Sequence, residues 1–377
     1  MSGPGGDVVI VGGGIVGCAC AYELAKRGAK AVLLEYGTTG MQATNAAAGM
    51  LAPLTETHEP GPMLEAGVRA LRAYPRLVEE LQAACGFDLE LRLDGILKLA
   101  FDDAQEATLR RRFAWQRELG FAIEWLDGAT CRELEPRLSA GVVAGVFSPG
   151  EGSVSNQMVA LALARAAAAH GAVIHQHAGV RSFVRRGGRV TGVRTADATY
   201  ACDAVVLAAG ARSGQLAARL GVGLPVRPVR GQMVALGGMR TPVRHIVWGP
   251  RGYLVPRANG IVFAGATVEE VGFRRRTTAA GVRGLRAMAS ALVPQLGAAT
   301  VHFAWAGLRP GSADGLPMIG PLPGYTNAFA ATGHFRNGIL LGPLTGVLVA
   351  DGLLSGEWSG VPAAFAPARF AATAALA

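Results

Sequence analysis

The N-terminal part of the chain alternates short apolar runs with a stretch of helical periodicity. The first apolar run, Val8–Val11, leads directly into glycines, and the second, Ala31–Leu34, ends in Glu35. The glycines that follow the first run include Gly12, Gly14 and Gly17, spaced as G-x-G-x-x-G. Apolar runs on either side of an amphipathic stretch predict two buried parallel strands joined by a helix.

Further along, the spacing of apolar residues predicts a long helix and a hairpin. Pro62–Cys85 is typical of a helix, with a break expected at Pro75 because proline cannot donate a backbone hydrogen bond. Leu89–Leu93 and Ile96–Phe101 alternate apolar and polar residues around the dipeptide Asp94-Gly95. An Asp-Gly turn between two alternating segments predicts a β-hairpin.

The rest of the chain predicts parallel α/β pieces at the start, middle and end, with antiparallel pieces between them. Asp103 and Glu106 are expected to form a capping box for a helix that runs to Leu119. Other helices are predicted at Ser155–His170, Thr278–Leu292 and Asn337–Leu354. Strands are predicted on both sides of Gly187-Gly188 and at Ala172–His177, Ala204–Ala208, Gly231–Leu236, Tyr253–Pro256, Ile261–Ala264, Val301–Gly307 and Phe329–Thr332. This order predicts two interleaved domains, one of residues 1–84, 150–222 and 305–377, the other of residues 85–149 and 223–304.

Composition indicates a folded chain without a membrane partner. Of 377 residues, 50% are hydrophobic and 17% are charged, so we expect a sizeable core. The longest apolar stretch, Gly338–Leu354, is interrupted by Pro343 and Asp351, which favours a buried helix over a membrane span. Ser2–Asp7 lacks the basic start of a signal peptide, so a cytoplasmic protein is expected.

The cysteines favour a reducing compartment. None of them has Cys-x-x-Cys spacing, so we expect neither a disulfide framework nor a zinc site, and no metal cofactor. The residues concerned are Cys18, Cys20, Cys85, Cys131 and Cys202.

Positive charge exceeds negative charge without forming a nucleic-acid motif. The formal net charge is +9, but the basic residues are dispersed, and the short basic runs include Arg110–Arg112 and Arg274–Arg276. No aromatic and basic recognition module accompanies them, so no nucleic-acid partner is expected. The positive balance instead favours attraction of an anionic substrate and cofactor.

The glycines after the first strand carry the first chemical prediction, an adenine dinucleotide site. Gly12 permits a tight turn, Gly14 lets the backbone approach a pyrophosphate, and Gly17 lets the helix pack close to the strand. The helix that begins at Ile15 and Val16 offers free N–H groups to the phosphates, and Glu35 can accept hydrogen bonds from a ribose. On these residues alone, NAD and FAD both remain open.

Motifs along nearly the whole chain resemble the D-amino-acid oxidase-like FAD-dependent oxidoreductases, and among them the thiamine-pathway glycine oxidases and the sarcosine oxidases. The matching segments occur in the expected order. After the glycine turn they are Ala46–Pro53, Val205–Ser213, Arg230–Met233, Tyr253–Arg257, Gly265–Thr267, Gly307–Gly320 and Thr332–Pro343. The resemblance implies FAD rather than NAD, and an α/β fold in which a Rossmann-like FAD-binding domain (1–84, 150–222 and 305–377) is interleaved with an antiparallel-sheet α+β substrate domain.

The resemblance also implies which residues hold FAD. A loop of small residues would line the flavin, Val180 would contact the adenine through its backbone, and a second glycine turn would lie beside the dinucleotide. A C-terminal loop would direct a helix N-terminus toward the flavin. In chain order, these residues are Thr44, Asn45, Ala46, Ala47, Ala48, Gly49, Met50, Val180, Ala209, Gly210, Gly307, Arg309, His334, Phe335, Arg336, Asn337, Gly338 and Ile339. Arg212 stands where the family usually has tryptophan.

The substrate side rests on arginine and tyrosine. The resemblance implies that Arg309 binds a substrate carboxylate, that Tyr253 adds a hydroxyl donor, and that Arg336 occupies a pocket position. A structural salt bridge and a core tyrosine are the alternative interpretations. The other pocket positions implied are Met50, Ala52, His245 and Val268. His245 and His334 are acid–base candidates, although the implied chemistry does not need one.

The implied reaction is hydride transfer from a small amino acid to flavin N5, followed by imine hydrolysis to glyoxylate and reoxidation of the flavin by O₂ to give hydrogen peroxide. Monomeric sarcosine oxidases carry a cysteine joined to the flavin and a lysine above it, whereas no cysteine follows Cys202 and no lysine follows Lys98 in this chain. The resemblance therefore implies noncovalent FAD and favours the glycine-oxidase branch. The alternatives are a D-amino-acid oxidase, a quinone-linked dehydrogenase, a flavin-carrying subunit of a complex, or an NAD-binding regulator. Homo-oligomerisation and hand-off to a thiazole synthase stay open.

Overall fold

The structure is a computed structural model that describes residues 6–238 and 243–371. Its strands are β1 (Gly6–Val11), β2 (Ala31–Leu34), β3 (Met50–Leu51), β4 (Ile96–Ala100), β5 (Glu124–Asp127), β6 (Ala144–Ser148), β7 (Gly152–Ser153), β8 (Val173–His175), β9 (Ser182–Arg186), β10 (Arg189–Arg194), β11 (Thr199–Leu207), β12 (Val226–Gly237), β13 (Ile246–Gly249), β14 (Gly252–Pro256), β15 (Val262–Gly265), β16 (Thr300–Ser312), β17 (Met318–Pro321) and β18 (Ala328–Thr332). Its α-helices are α1 (Ile15–Lys26), α2 (Ala43–Ala46), α3 (Pro53–Glu56), α4 (Pro62–Cys85), α5 (Asp103–Glu118), α6 (Gly128–Leu134), α7 (Asn156–Ala169), α8 (Ser213–Ala218), α9 (Ala279–Leu292) and α10 (Gly338–Ser355).

The first sheet is mainly parallel and has the order β17-β18-β11-β1-β2-β8. The hairpin β9–β10 pairs with β11, and β17 is antiparallel to β18. Val9 and Ile10 of β1 are fully buried on opposite faces, because α1, α4, α7 and α10 cover one face and α8 and the hairpin cover the other. Burial on both faces explains why β1 and β2 are continuous apolar runs.

The second sheet is mainly antiparallel and has the order β16-β12-β15-β14-β13-β4-β6-β5. One face packs on α9, where Leu285 and Met288 meet Val234 and Leu254. The other face carries Met233 and Tyr253 and turns toward the small-residue loop of the first half, including Ala48 and Ala52. The space between this face and the first sheet holds the candidate site.

The predicted fold class, α/β with two structural halves, is confirmed by the two sheets and their layers. The predicted domain boundaries stay a proposal. One of them, between residues 304 and 305, falls inside β16, whose residues pair with β12 as far as Ser312. The segment 305–312 therefore belongs to the second sheet.

The helix break predicted at Pro75 is wrong, because α4 continues from Pro62 to Cys85. Pro75 lies on the exposed side, where water can replace the backbone hydrogen bond that proline cannot donate. Tyr74, Val78 and Leu81 on the opposite side are buried in the core. Burial of that side outweighs the lost bond.

The predicted hairpin is also wrong. Leu89–Leu93 is not a strand, and the backbone of Arg92 instead pairs with Ser153, with N–H to O distances of 2.8 Å in both directions. Both edges of β4 are already occupied, by β6 on one side and β13 on the other. The alternating segment therefore has no free edge to join.

The capping box is displaced by one residue. The N-cap of α5 is Asp102, whose carboxylate accepts a hydrogen bond from the Gln105 backbone N–H at 2.8 Å, and not Asp103. Asp103 and Glu106 lie in the first turn, where their charges favour the helix dipole.

Among the described residues, α10 is long and apolar enough, by length and composition, to cross a bilayer. Most of it is buried inside the fold: Gly346 packs against Ala19 of α1, and the Tyr74 hydroxyl of α4 donates to the Ile339 carbonyl at 2.5 Å. The helix is therefore a core element of this fold, as its interruptions predicted.

Candidate active site

A cavity of about 520 Å³ runs between the two sheets. Its volume falls in the range of cofactor and ligand sites. The predicted residues that line it are Gly12, Gly14, Ile15, Val16, Glu35, Thr44, Ala46, Ala47, Ala48, Gly49, Met50, Ala52, Val180, Ala209, Gly210, Tyr253, Gly307, Arg309, His334, Phe335, Arg336, Asn337, Gly338 and Ile339. The predicted residues outside the lining are Gly17, Asn45, His245 and Val268.

The glycine turn after β1 is built so that backbone reaches the cavity. Gly12 has φ +111°, a conformation that side chains disfavour. A Cβ atom at Gly17 would overlap the carbonyl oxygen of Gly12. Gly17 therefore packs against the back of the turn and does not line the cavity. Thr44 accepts from the Ile15 N–H at 3.0 Å, which ties the start of α1 to the small-residue loop.

Glu35 is buried and braces the turn directly. Its carboxylate accepts from the backbone N–H groups of Gly13 at 2.6 Å and Gly37 at 2.8 Å. Each carboxylate oxygen has further acceptor capacity, which is compatible with the ribose contact predicted for it. Glu35 therefore both fixes the glycine turn and faces the cavity.

The small-residue loop is held close to the cavity by contacts behind it. A Cβ atom at Gly49 would overlap the Val154 carbonyl, and Asn156 donates to the Thr44 carbonyl at 2.5 Å. The Trp305 indole N–H donates to the Ala46 carbonyl at 3.2 Å. Asn45 turns away, and its side chain accepts from Gln157 instead of facing the cavity.

The C-terminal loop brings the start of α10 to the cavity. Phe335 has φ +47° and donates its backbone N–H to the Pro310 carbonyl at 3.0 Å. Asn337 is the N-cap, but its side chain forms no capping hydrogen bond. The first N–H groups of α10, at Gly338 and Ile339, are thus available to a polar group in the cavity, with the positive end of the helix dipole behind them.

These features fit an adenine dinucleotide. The lining provides the glycine turn, the N-termini of α1 and α10 and a loop of alanines, and it contains no cysteine among the described residues. The same part of the chain holds no group of three side chains suited to a metal ion.

His334 is fully buried, and its Nε2 lies 2.8 Å from the Thr345 hydroxyl. Burial lowers the pKa of His334 from 6.5 to about 4. The imidazole is therefore neutral at physiological pH and presents a polar but uncharged surface to the cavity.

Acidification from pH 6.5 toward pH 4 is expected to cost the fold about 3 kcal/mol through His334. The folded pKa is depressed, so the stabilisation is complete above pH 6.5 and is lost as the pH falls through this window. Urea unfolding at several pH values between 4 and 7 measures the slope. His334→Gln removes the titrating group, and an unchanged slope in this variant would contradict the assignment.

Arg309 is a partly buried cation without an anionic partner among the described residues. Its guanidinium lies over Gly231, where a Cβ atom would overlap it, and one Nη donates to the Thr267 carbonyl at 3.0 Å. Burial lowers its pKa, and no carboxylate of the described residues forms an ion pair with it. A partly buried guanidinium with free donors is suited to bind a carboxylate through two parallel hydrogen bonds.

Tyr253 lies beside Arg309 on β14 and is buried. Burial raises the pKa of its hydroxyl, against a smaller opposing effect of the Arg309 charge. The hydroxyl is therefore protonated at physiological pH and can donate a hydrogen bond next to the guanidinium. The ring packs against Trp248 at 5.1 Å between centroids.

Arg336, in contrast, is already paired. Its Nε lies 2.9 and 3.1 Å from the two carboxylate oxygens of Glu56, and its guanidinium stacks over Trp248 at 5.2 Å. Glu56 also lines the cavity and was not predicted from the sequence. No local pattern marks it, because its partner lies 280 positions away.

A buried set of charged side chains holds Glu56 in place through α3. Arg112 donates to the carbonyls of Leu54, Thr55 and Thr57 at 3.1, 2.7 and 2.6 Å. The Glu151 carboxylate accepts from the backbone N–H groups of Leu54 at 2.5 Å and Thr55 at 3.1 Å. Both ends of this short helix are thereby fixed.

Lys98 belongs to the same set, and its Nζ donates to the Thr55 carbonyl at 2.9 Å. Burial lowers the pKa of Lys98 to about 7 and raises that of Glu151 to about 7. Lys98 also lies over the Trp248 ring, on which Arg336 stacks. The only lysine in the second sheet is therefore structural support behind the cavity wall.

The pocket position predicted for His245 is wrong. Its Nδ1 lies 2.7 Å from the buried carboxylate of Glu135, and its ring packs edge-on against Phe147. Glu135 also accepts from the backbone N–H groups of Arg244 and His245 at 2.8 and 2.7 Å. A buried carboxylate needs hydrogen-bond donors, and because His245 is one of the donors to Glu135, its side chain points away from the cavity.

The pocket position predicted for Val268 is also wrong, because its side chain is 57% exposed. The chain turns outward after β15, and the next residue, Glu269, turns inward instead. Glu269 forms an ion pair with the buried Arg230 and accepts from Gln232 at 2.7 Å. This anchor determines which neighbouring side chain faces the interior.

Comparisons with known proteins agree with this geometry. The family described as FAD dependent oxidoreductase (DAO) matches residues 7–352. Glycine oxidase of Geobacillus kaustophilus is 39% identical over 347 residues, covering 92% of each chain. The crystal structure of glycine oxidase from Geobacillus kaustophilus superposes with a TM-score of 0.94 at 36% identity, covering 97% of this chain and 99% of the other. The bifunctional protein ThiO/ThiG of a Synechocystis species is 36% identical over 373 residues, covering 97% of this chain and 54% of that protein.

Proposed function

Since the chain belongs to the DAO family of FAD-dependent oxidoreductases and acts on CH–NH donors, we propose that it oxidises glycine, sarcosine and similar small amino acids with O₂ as acceptor. The products would be glyoxylate, the free amine and hydrogen peroxide. The observation that carries this proposal is the partly buried guanidinium of Arg309, which has no carboxylate partner among the described residues and lies beside the Tyr253 hydroxyl.

In this proposal, Arg309 binds the substrate carboxylate through two of its N–H donors and Tyr253 adds a third hydrogen bond. Bound FAD supplies the two-electron acceptor for the oxidation. The carboxylate contact fixes one end of the substrate, so that its reacting carbon is oriented without a covalent bond to the protein. Met50, Ala52 and Met233 line the same cavity and pack in one apolar cluster with Tyr253.

The cavity offers no charged histidine to take up the amine proton. His334 is neutral and close to Thr345, and His245 lies outside the cavity. Burial among apolar groups favours the neutral form of a bound amine, which is the form with a free lone pair. The protein's contribution is therefore positioning and exclusion of water.

The Glu56–Arg336 pair is proposed to restrict the substrate class. Because Glu56 neutralises Arg336, a second anionic group on the substrate finds no free cation there and meets a carboxylate instead. We therefore expect N-alkyl glycines to be accepted and N-carboxymethyl glycine, a dicarboxylate, to be a poor substrate.

Peroxide release by the purified chain tests the function. Glycine, sarcosine, N-ethylglycine, D-alanine, D-proline and N-carboxymethyl glycine form the panel. The expected result is turnover of the first three, and Glu56→Gln is expected to lower KM for the dicarboxylate about tenfold relative to glycine. Glu59→Gln is the matched control, since Glu59 is exposed nearby and forms no ion pair among the described residues.

Other outcomes point to the alternative functions. Preference for D-alanine and D-proline would indicate a D-amino-acid oxidase. Reduction of a quinone or dye without peroxide would indicate a dehydrogenase. Bound flavin without turnover of any amine would indicate a flavin-carrying subunit.

We further propose that FAD is bound without a covalent link, because no cysteine of the described residues lines the cavity. A cytoplasmic location and a thiazole synthase as the recipient of the product belong to the same proposal. The second is supported by the match of this chain to half of a bifunctional relative.

A further inference from the structure

Arg212 connects the two halves of the molecule at one side of the cavity. Its guanidinium carbon lies 5.3 Å from the Tyr36 ring centre and 4.8 Å from the Phe273 ring centre. Tyr36 follows Glu35 at the end of the second strand, whereas Phe273 lies between β15 and α9 in the other half. All three residues line the cavity.

The segment that carries Phe273, residues 268–278, is here called the clamp loop, and its base is firmly anchored. Arg230 is 6% exposed, forms an ion pair with Glu269 and donates to the Arg276 carbonyl at 2.9 Å. Gln232 accepts from the Thr278 N–H at 2.7 Å. The anchored base therefore fixes the position of Phe273, which extends from the second sheet toward Tyr36 in the other half of the molecule.

The side of the cavity under the clamp loop is positively charged. Arg212, Arg219 and Arg275 line it, and none of them pairs with a carboxylate of the described residues. Arg275 donates to Gln42, and Arg219 donates to the Val180 and Arg181 carbonyls at 3.1 and 2.6 Å. Positive charges without a carboxylate partner in a cavity wall favour an anionic group such as a phosphate.

We propose that the clamp loop closes over the AMP half of bound FAD, and that Arg212, stacked between Tyr36 and Phe273, holds it closed. A planar guanidinium stacks on aromatic faces much as a ring does and adds a charge, which gives a role to an arginine where tryptophan is usual. The proposal rests on FAD as the cofactor and not on the amine that is oxidised.

The test compares FAD with FMN, which lacks the AMP half. Apoprotein is titrated with each cofactor, and binding is followed by quenching of flavin fluorescence. Phe273→Ala and Arg212→Gln are expected to raise the Kd for FAD about tenfold and to leave the Kd for FMN unchanged. Arg274→Gln is the matched control, since Arg274 lies exposed in the same loop and its side chain does not line the cavity.

Two results would overturn the proposal. One is an unchanged Kd for FAD in both variants; the other is an equal loss of FMN affinity, which would show general damage to the cavity. Arg212→Lys keeps the charge but not the planar stack, and full FAD affinity in this variant would refute the stacking. Because no amine is present in these titrations, their outcome is independent of the substrate proposed above.

Discussion

Replacing Arg309 by alanine is expected to lower kcat/KM for glycine about a thousandfold while FAD stays bound. The variant would lose the proposed charge-assisted contact of two parallel hydrogen bonds to the substrate carboxylate, and removing one partner of such a contact costs about 4 kcal/mol. Because the contact is made before and during the reaction, most of the loss is expected in KM. Steady-state peroxide kinetics together with the flavin absorbance spectrum measure both parts.

Arg251→Ala is the control for this substitution. Arg251 lies in the turn just before β14, two residues from Tyr253, and its side chain is exposed. Its loss removes the same charge from the same region and is expected to change kcat/KM less than twofold. Unchanged constants in Arg309→Ala would exclude the carboxylate role, and loss of the flavin spectrum would assign Arg309 to cofactor binding instead.

Gly17→Ala is expected to abolish retention of FAD. The added Cβ would overlap the carbonyl oxygen of Gly12, a backbone atom that cannot move without opening the turn. The turn has φ +111° at Gly12 and is braced by the Gly13 contact to Glu35, so it has little freedom to adjust. The flavin-to-protein ratio after gel filtration measures the effect.

Gly284→Ala separates this effect from helix propensity. Gly284 also lies inside a helix, α9, but no atom lies within 4 Å of the position of an added Cβ. Alanine there is expected to stabilise the fold by about 0.5–1 kcal/mol and to leave the flavin ratio unchanged. Stoichiometric FAD in Gly17→Ala would show that the turn is more adaptable than this packing implies.

The first strand, the glycine turn and the second strand could be predicted because their causes are local. Each strand is apolar on both faces, and the glycines are required by the close passage of Gly17 behind Gly12. The positions of Arg309 and Tyr253 in one cavity could not follow from spacing alone. The resemblance of many motifs implied both residues, and the neighbouring strands β16, β12, β15 and β14 of the second sheet place them in one cavity.

Two of the wrong predictions and one missed residue have a common physical origin in long-range pairing. The segment around Arg92 matches a hairpin strand locally, but its backbone pairs with Ser153 because β4 has no free edge. His245 resembles a pocket residue, yet it is needed by the buried Glu135. Glu56 has no local signal, since only the folded chain places it beside Arg336.

The topology of the first sheet also affects how the protein is made. Its central strands pair Gly6 with Cys202 and Val205 with Ala328, so neighbours in the sheet are synthesised far apart in time. The glycine turn emerges from the ribosome early, but the helix that completes the other end of the cavity emerges last. During synthesis, the apolar faces of β1 and β2 therefore stay uncovered until the later strands and helices that pack on them have been made. This sheet is the part of the chain most exposed to aggregation before synthesis is complete.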